Sequence, residues 1–306
     1  MNRQIWLRVI CGLWIVLYGL AAEGRQQPSE SAEEIIRSKG SDTLLPIVSS
    51  WAARYQAITP NVAVEASGGG SGNGIAALIN GHVEIAATSR ALRQHEVKQI
   101  VNRSGQQPML HLVGMDAMSI IVHPDNPLHG LSLQQLAEIY VRDGEIERWS
   151  DLGVQVAGCS EQLIMRIGRK NNSGTYFEFR EEVIGRGRHF HHQLERAESS
   201  SAMVRRVAKD PCAIGYVGMG FVTSAVKTLC LSKGKGPCVP PTPAYAMEKR
   251  YPLSRNLYLV TLGEPSEPVK KYLNWILAAN GQEMLQKAGF IPVPKGNKGA
   301  VVKEQF

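Results

Sequence analysis

Arg169-Lys170-Asn171-Asn172-Ser173-Gly174-Thr175 places a guanidinium four residues before a Ser-Gly-Thr triplet. Tyr176 to Val183 follows as a helix pattern, so Ser173 and Thr175 stand at or beside a helix N-terminus. Free backbone N–H groups and the positive end of the helix dipole point outward there. Hydroxyls, free amides and an arginine fork together make a receptor for an oxyanion. Gly40-Ser41-Asp42-Thr43 and Gly69-Gly70-Ser71-Gly72-Asn73-Gly74 repeat the design, each lying between a strand pattern and a helix pattern. Taken singly, each reads as ordinary helix capping. Three in one chain, one with an arginine before it, point to a shared anion site at the carboxyl ends of strands.

Such turns need strands behind them and helices ahead. Glu33 to Arg37 is a short strand candidate, and Leu44, Leu45, Val48, Trp51, Ala52 and Tyr55 recur at helical spacing until Pro60. Asn61 to Ala66 reads as a strand. Ile75, Ala76, Leu78 and Ile79 open a helix that Asn80-Gly81 stops, and Val83 to Ala87 is a third strand ending at Thr88-Ser89-Arg90. This alternation predicts an α/β fold with a parallel sheet. Leu110 to Val122 is a longer apolar run that suits a strand passing between lobes, and Leu257 to Thr261 suits a strand returning to the first lobe. Ser132 caps a helix carrying Leu133, Leu136, Ile139 and Tyr140, and Leu163 to Ile167 is a strand leading into the arginine. Ala202 to Val207 is helical, Cys212 to Val217 a strand, 240–243 a loop, and 268–288 a helix pair.

The 306 residues suffice for two domains, and 43% hydrophobic with 20% charged content is ordinary for a globular chain. The N-terminus is not ordinary. Met1 to Arg8 carries two arginines and no acid, Val9 to Ala22 is apolar, and Gly19-Leu20-Ala21-Ala22 supplies small residues for cleavage. We expect a signal peptide over 1–22 rather than an uncleaved anchor, because the apolar run is short for a span. Cys11 lies inside that run, which argues against lipid attachment there. The remainder is expected to be exported and soluble. Of 34 basic residues Arg3 and Arg8 leave with the leader, giving 32 against 27 acidic ones. That mild surplus suits an anionic ligand or surface, and no basic run with interleaved aromatics suggests nucleic acid. Four cysteines then remain, and an even count in an exported chain favours disulfides. Cys230 and Cys238 flank a flexible loop that a bridge would close, leaving Cys159 with Cys212; free buried thiols are the alternative.

Other patterns are weaker. Gly72-Asn73-Gly74-Ile75-Ala76-Ala77 formally fits a dinucleotide turn, but an exported protein seldom meets such cofactors. Ser71 lacks the glycine two positions on that a nucleophile elbow requires. The cysteine spacing fits no zinc pattern, and His189-Phe190-His191-His192 has no carboxylate or cysteine at ligand spacing, so its histidines are expected to face solvent. Neither metal nor cofactor is expected. Trp149 reads as core.

The ordered set of Gly40-Ser41-Asp42-Thr43, Gly69-Gly70-Ser71-Gly72, Ala87-Thr88-Ser89-Arg90-Ala91-Leu92, Arg169-x-x-x-Ser173-Gly174-Thr175 and Ala213-Ile214-Gly215-Tyr216-Val217 resembles the periplasmic phosphate-binding component of the Pst ABC transporter. Ile139-Tyr140 and Ile146-Glu147-Arg148-Trp149-Ser150-Asp151 fit between them, and the likeness covers nearly the whole chain after the leader. It implies a type II two-lobed periplasmic-binding-protein fold, each lobe a mixed sheet flanked by helices, joined by a two-strand hinge. Lobe I would be 23–114 with 258–306, and lobe II 115–257. Inorganic phosphate would lie dehydrated between the lobes. Carried over by position, Thr43 gives hydroxyl and amide, Leu44 an amide, Ser71 hydroxyl and amide, and Arg169 the charged fork. Ser173, Gly174 and Thr175 cap the third helix onto the ligand. Ser89 also lines the site, where some members have an aspartate that accepts a proton from phosphate and repels sulfate. Arg90 beside it either adds positive charge or turns into the lobe surface. The implied role is a monomeric, periplasmic, non-enzymatic carrier that delivers phosphate to a membrane permease. Binding of another tetrahedral oxyanion, or a sensor or adhesin role on the same fold, is one alternative. A phosphoester hydrolase using Ser71 is another, but no His or acidic cluster adjoins the hydroxyl positions in sequence.

Overall fold

A computed structural model describes residues 34–294. The expected leader over 1–22, and Glu33 at the start of the first strand, lie outside the described residues.

The first third alternates strand and helix as its periodicity requires. β1 (Glu34–Gly40) leads to α1 (Leu45–Ile58), β2 (Val62–Ser67) to α2 (Ser71–Ile79), and β3 (Ile85–Thr88) to α3 (Gln94–Ser104). β4 (Pro108–Val122) is the long apolar strand. β5 (Gly130–Ser132) runs into α4 (Leu133–Tyr140), whose N-cap Ser132 Oγ accepts from Gln135 N while Gln135 Oε1 accepts from Ser132 N, a reciprocal cap. β6 (Met165–Arg169) leads to α5 (Gly174–Phe179). The helix pattern expected through Val183 continues past Phe179 as one wider π turn, Arg180–Ile184. β7 (Glu195–Ala197), α6 (Ser200–Val207), β8 (Ala213–Gly218) and β9 (Lys227–Ser232) follow. Residues 240–243 are not wholly loop: Pro243 opens α7 (Pro243–Met247), because Thr242 caps it and proline suits a first helical position. β10 (Ser254–Leu262) precedes α8 (Glu267–Leu277) and α9 (Ala279–Lys287).

Strand order is β2-β1-β3-β10-β4-β8-β6-β7, with β5 and β9 attached beside β4. β2-β1-β3 is parallel and β8-β6-β7 is parallel. Between these blocks lie two antiparallel crossing strands. β4 pairs with β10 over Pro108 to Ala117, then with β8 over Met118 to Val122. A bulge falls at Leu257/Tyr258. One strand therefore belongs to both halves, and β10 lies beside it.

Each half buries apolar side chains on both faces of its sheet. In the first, Ala87, Leu257 and Leu259 face α1, α8 and α9, while Ala86, Tyr258 and Val260 face α2 and α3. In the second, Ile120, Ile214 and Tyr216 face the large cluster with Tyr140, Trp149 and Phe179, while Ile121, Ala213 and Val217 face α6. Trp149 is fully buried, as expected of a core residue, and its Nε1 donates to Cys212 O. Disulfides join Cys159 to Cys212 and Cys230 to Cys238, so the free-thiol alternative fails.

Candidate anion-binding site

The carboxyl ends of β1, β3 and β6, with the N-termini of α1, α2 and α5, meet at one point. Thr43 sits in the turn between β1 and α1, Ser71 is the first residue of α2, and Ser89 follows β3. Arg169 ends β6, Ser173 caps α5, and Gly174 and Thr175 begin it. All are buried.

The two halves touch here through polar groups. Thr43 Oγ1 lies 3.0 Å from Thr175 Oγ1. A methyl at Gly174 would come within 2.6 Å of Ser89 Oγ and closer still to Ser71 Oγ, so three chain segments converge on one bare backbone position. Asn172 Nδ2 donates to Gly69 O at 2.9 Å, and Gly72 N donates to Asn172 O at 3.1 Å. Gly70, the N-cap of α2, has φ 92°, and a Cβ there would meet Asn172 O at 2.6 Å. Glycine is required at this turn for both conformation and approach.

Arg169 bridges the same gap. Its Nη2 donates to Asp42 Oδ2 at 2.7 Å and its Nη1 to Ser200 Oγ at 3.0 Å. Both terminal nitrogens are thus engaged by protein. Its Nε is buried with no hydrogen-bond partner among the described residues, and so is Ser89 Oγ. Those two atoms, a charged donor and a neutral hydroxyl, are both of the type that donates to an oxyanion. Burial pushes the Arg169 pKa down, and nearby Asp42 opposes the shift. Asp42 also accepts from Gly69 N, which ties the glycine turn to the bridge.

Other expected residues have specific local duties. Ser71 Oγ accepts from Ser89 N at 3.2 Å, and Ser173 Oγ accepts from Tyr176 N. The Leu44 amide donates to Ser41 O at 3.1 Å within its own turn. Arg90 is buried and forks onto Glu96, which burial pushes up but the Arg90 and Arg93 bonds bring down to about 2. Arg90 and Arg93 both lie over the Phe177 ring, at 5.0 and 4.9 Å, so the charge beside Ser89 is paired with Glu96 and packed against α5.

The histidine run needs correction. His189 and His192 are exposed, but His191 is buried and its Nε2 lies 3.0 Å from Glu147 Oε1. The carboxylate comes from 44 residues away, where sequence spacing cannot show it. Among the described residues no group of three His, Cys, Asp or Glu side chains is placed to hold a metal.

Arg255 escaped the sequence reading. It stands near the start of β10, its Nη1 3.1 Å from Thr175 Oγ1 and its Nη2 3.4 Å from Thr43 Oγ1. Asp116 Oδ2 accepts from its Nε and Nη2, at 3.0 and 2.7 Å. The available signal was Asp116 itself, an acid inside the apolar run of β4. A buried carboxylate requires a partner.

Fold and site together define a two-lobed solute-binding protein. Residues 25–280 match the family model of the PBP superfamily domain. A phosphate-binding protein PstS of Pseudomonas aeruginosa is 31% identical over 280 residues, covering 88% of this chain and 86% of that protein. A phosphate ABC transporter substrate-binding protein from Clostridium perfringens, solved with bound phosphate, superposes with a TM-score of 0.75 at 27% identity, over 85% of this chain and all of that one. An ABC-type phosphate transport receptor from Vibrio cholerae gives 0.67 at 25% identity, with the same coverage of both chains. The chain belongs to the PBP superfamily and, within it, to the PstS family of phosphate-binding proteins.

Proposed function

We propose that this protein captures inorganic phosphate between its lobes in the periplasm and delivers it, as a monomer without catalysis, to an ABC-type membrane permease. The observation that carries the reading is the convergence of Ser71, Ser89, Thr43 and Thr175 around Gly174, beside a buried guanidinium whose Nε has no partner among the described residues. Thr43, Ser71, Ser89, Arg169, Ser173, Gly174 and Thr175 hold the anion. Leu44 adds an amide that it shares with Ser41 O. We assign the lobes as 23–114 with 258–306, and 115–257, of which 23–33 and 295–306 lie outside the described residues. Their boundary on β10 falls at the Leu257/Tyr258 bulge, where a local break in the ladder suits hinge bending.

Titration calorimetry of the purified protein with phosphate and with sulfate tests this. Phosphate should bind in the micromolar range or tighter, and Arg169→Met should weaken it by roughly 100-fold, the worth of a buried charged hydrogen bond. No phosphate heat from the folded wild type would sink the reading.

A further inference from the structure

The Arg255–Asp116 pair lies where the two halves join. The two residues are register partners on β10 and β4, one step before Ala117, after which β4 leaves β10 for β8. Asp116 is fully buried and its carboxylate is fully used: Oδ1 accepts from Met219 N at 2.9 Å and Oδ2 accepts from Arg255. Gly218 makes room for this, since a Cβ there would meet Asp116 Oδ2 at 2.6 Å and Thr43 Cγ2 at 3.0 Å. The carboxylate thereby fixes the guanidinium plane and aims Nη1 at Thr175, from α5, and Nη2 at Thr43, from the β1–α1 turn.

A guanidinium has donors and no acceptor. Each threonine oxygen is therefore an acceptor toward Arg255, and each hydroxyl proton must point elsewhere. With the oxygens 3.0 Å apart, one proton serves the other hydroxyl and the second is directed away from the pair. An oxyanion arriving between α1 and α5 meets one hydroxyl already turned to donate, its partner's proton holding the pair together. The hydroxyls also come from opposite halves, so one guanidinium reaches both only when the halves are together.

We propose that Arg255, held by Asp116, is a positioning residue of the anion site: it sets the donor direction of the Thr43 and Thr175 hydroxyls and links that alignment to closure. The proposal rests on the phosphate-binding reading above. Preorganised donors gain affinity because their ordering is not left to the binding step.

The test is titration of phosphate into wild type, Arg255→Lys, Thr175→Val and the Arg255→Lys/Thr175→Val pair. Lysine keeps a charge for Asp116 but has no planar fork to reach two hydroxyls. Arg255→Lys should weaken phosphate about tenfold, comparable to one charge-assisted hydrogen bond. In the Thr175→Val background its effect should shrink at least threefold, because one of its targets is gone. An Arg255→Gln/Asp116→Asn protein, which leaves no buried charge unpaired, should fold and lose at least as much affinity. Arg255→Lys binding like wild type, or an equal loss in both backgrounds that tracks melting temperature, overturns the positioning role. Absence of phosphate binding by wild type overturns both this and the functional reading. Normal wild-type binding with unaffected variants overturns this one alone.

Discussion

Gly174→Ala separates binding from folding. Gly174 is the first residue of α5, behind its Ser173 cap, and its backbone lies outside the left-handed region. Alanine fits such a position and in helix interiors is favoured over glycine by about 0.5–1 kcal/mol, so the second lobe should melt no lower than wild type. The closed cleft is another matter. The new methyl would lie within 2.6 Å of Ser89 Oγ and closer to Ser71 Oγ, where ordinary contact begins at 3.4 Å. Neither serine yields easily. Both are fully buried, and Ser71 Oγ is held by Ser89 N. The lobes must therefore stay apart by roughly 1 Å, in an interior packed too densely to absorb it. Hydrogen bonds to an anion spanning the gap would stretch from about 2.8 Å to about 3.8 Å and fail as hydrogen bonds. Losing one to two bonds to a charged ligand costs about 3 kcal/mol, or roughly 150-fold in Kd. Calorimetric titration measures the Kd, and thermal melting without phosphate measures the fold. Phosphate affinity within threefold of wild type, with melting unchanged, would refute the close-approach argument.

Three further outcomes are expected. Ser89→Asp puts an acceptor-only carboxylate beside the ligand, so phosphate, which carries a proton to donate, should gain at least tenfold over sulfate; titrating both anions checks this, and an unchanged ratio contradicts it. Removing Cys159–Cys212, which spans 53 residues, should destabilise by about 4 kcal/mol, against about 2.5 for Cys230–Cys238, which spans 8, if denatured-chain entropy dominates; denaturant titration of the paired Cys→Ser variants decides. Burial, with Glu182 and Glu181 nearby, raises Glu178 to about 6 despite Arg255 and Arg90, so the folded state resists its ionisation. Stability from this group is intact below pH ~4.5 and falls as pH rises through ~6, by about 2 kcal/mol. Glu178→Gln should raise the melting temperature at pH 7 and leave it unchanged at pH 4.

Most elements were legible because local chemistry and tertiary demand agree. Ser132 with Gln135 announces α4, and the Val62/Val64 alternation announces β2, in the same residues the core uses. α3 was not legible. Between Gln94 and Ser104 only Val97 and Ile100 are buried apolar residues, a stripe too narrow to stand out among polar neighbours. β5 and β7 are three residues each and exist through pairing with β9 and β6, which no short window reveals. The π turn after Phe179 hides for a related reason, since Arg180–Ile184 reads as continued helix.

The site divides along the same line. Thr43, Ser71, Ser173 and Thr175 stand in strand-to-helix turns, where residue type and backbone geometry are fixed together by a few adjacent positions. Arg169 is announced by the turn it precedes. Arg255 sits in no such turn. Its place follows from an antiparallel register that sets it opposite Asp116, 139 residues earlier, and from the point where β4 changes partners. What sequence does show is the anomaly on the other side of that pair. Asp116 lies between Met115 and Ala117 in a strand whose remaining charge-capable residue is His111. A buried carboxylate there requires a cationic or hydrogen-bonding partner. The cation it finds, Arg255, reaches hydroxyls from both halves, so the residue least expected in this strand marks where the two halves join.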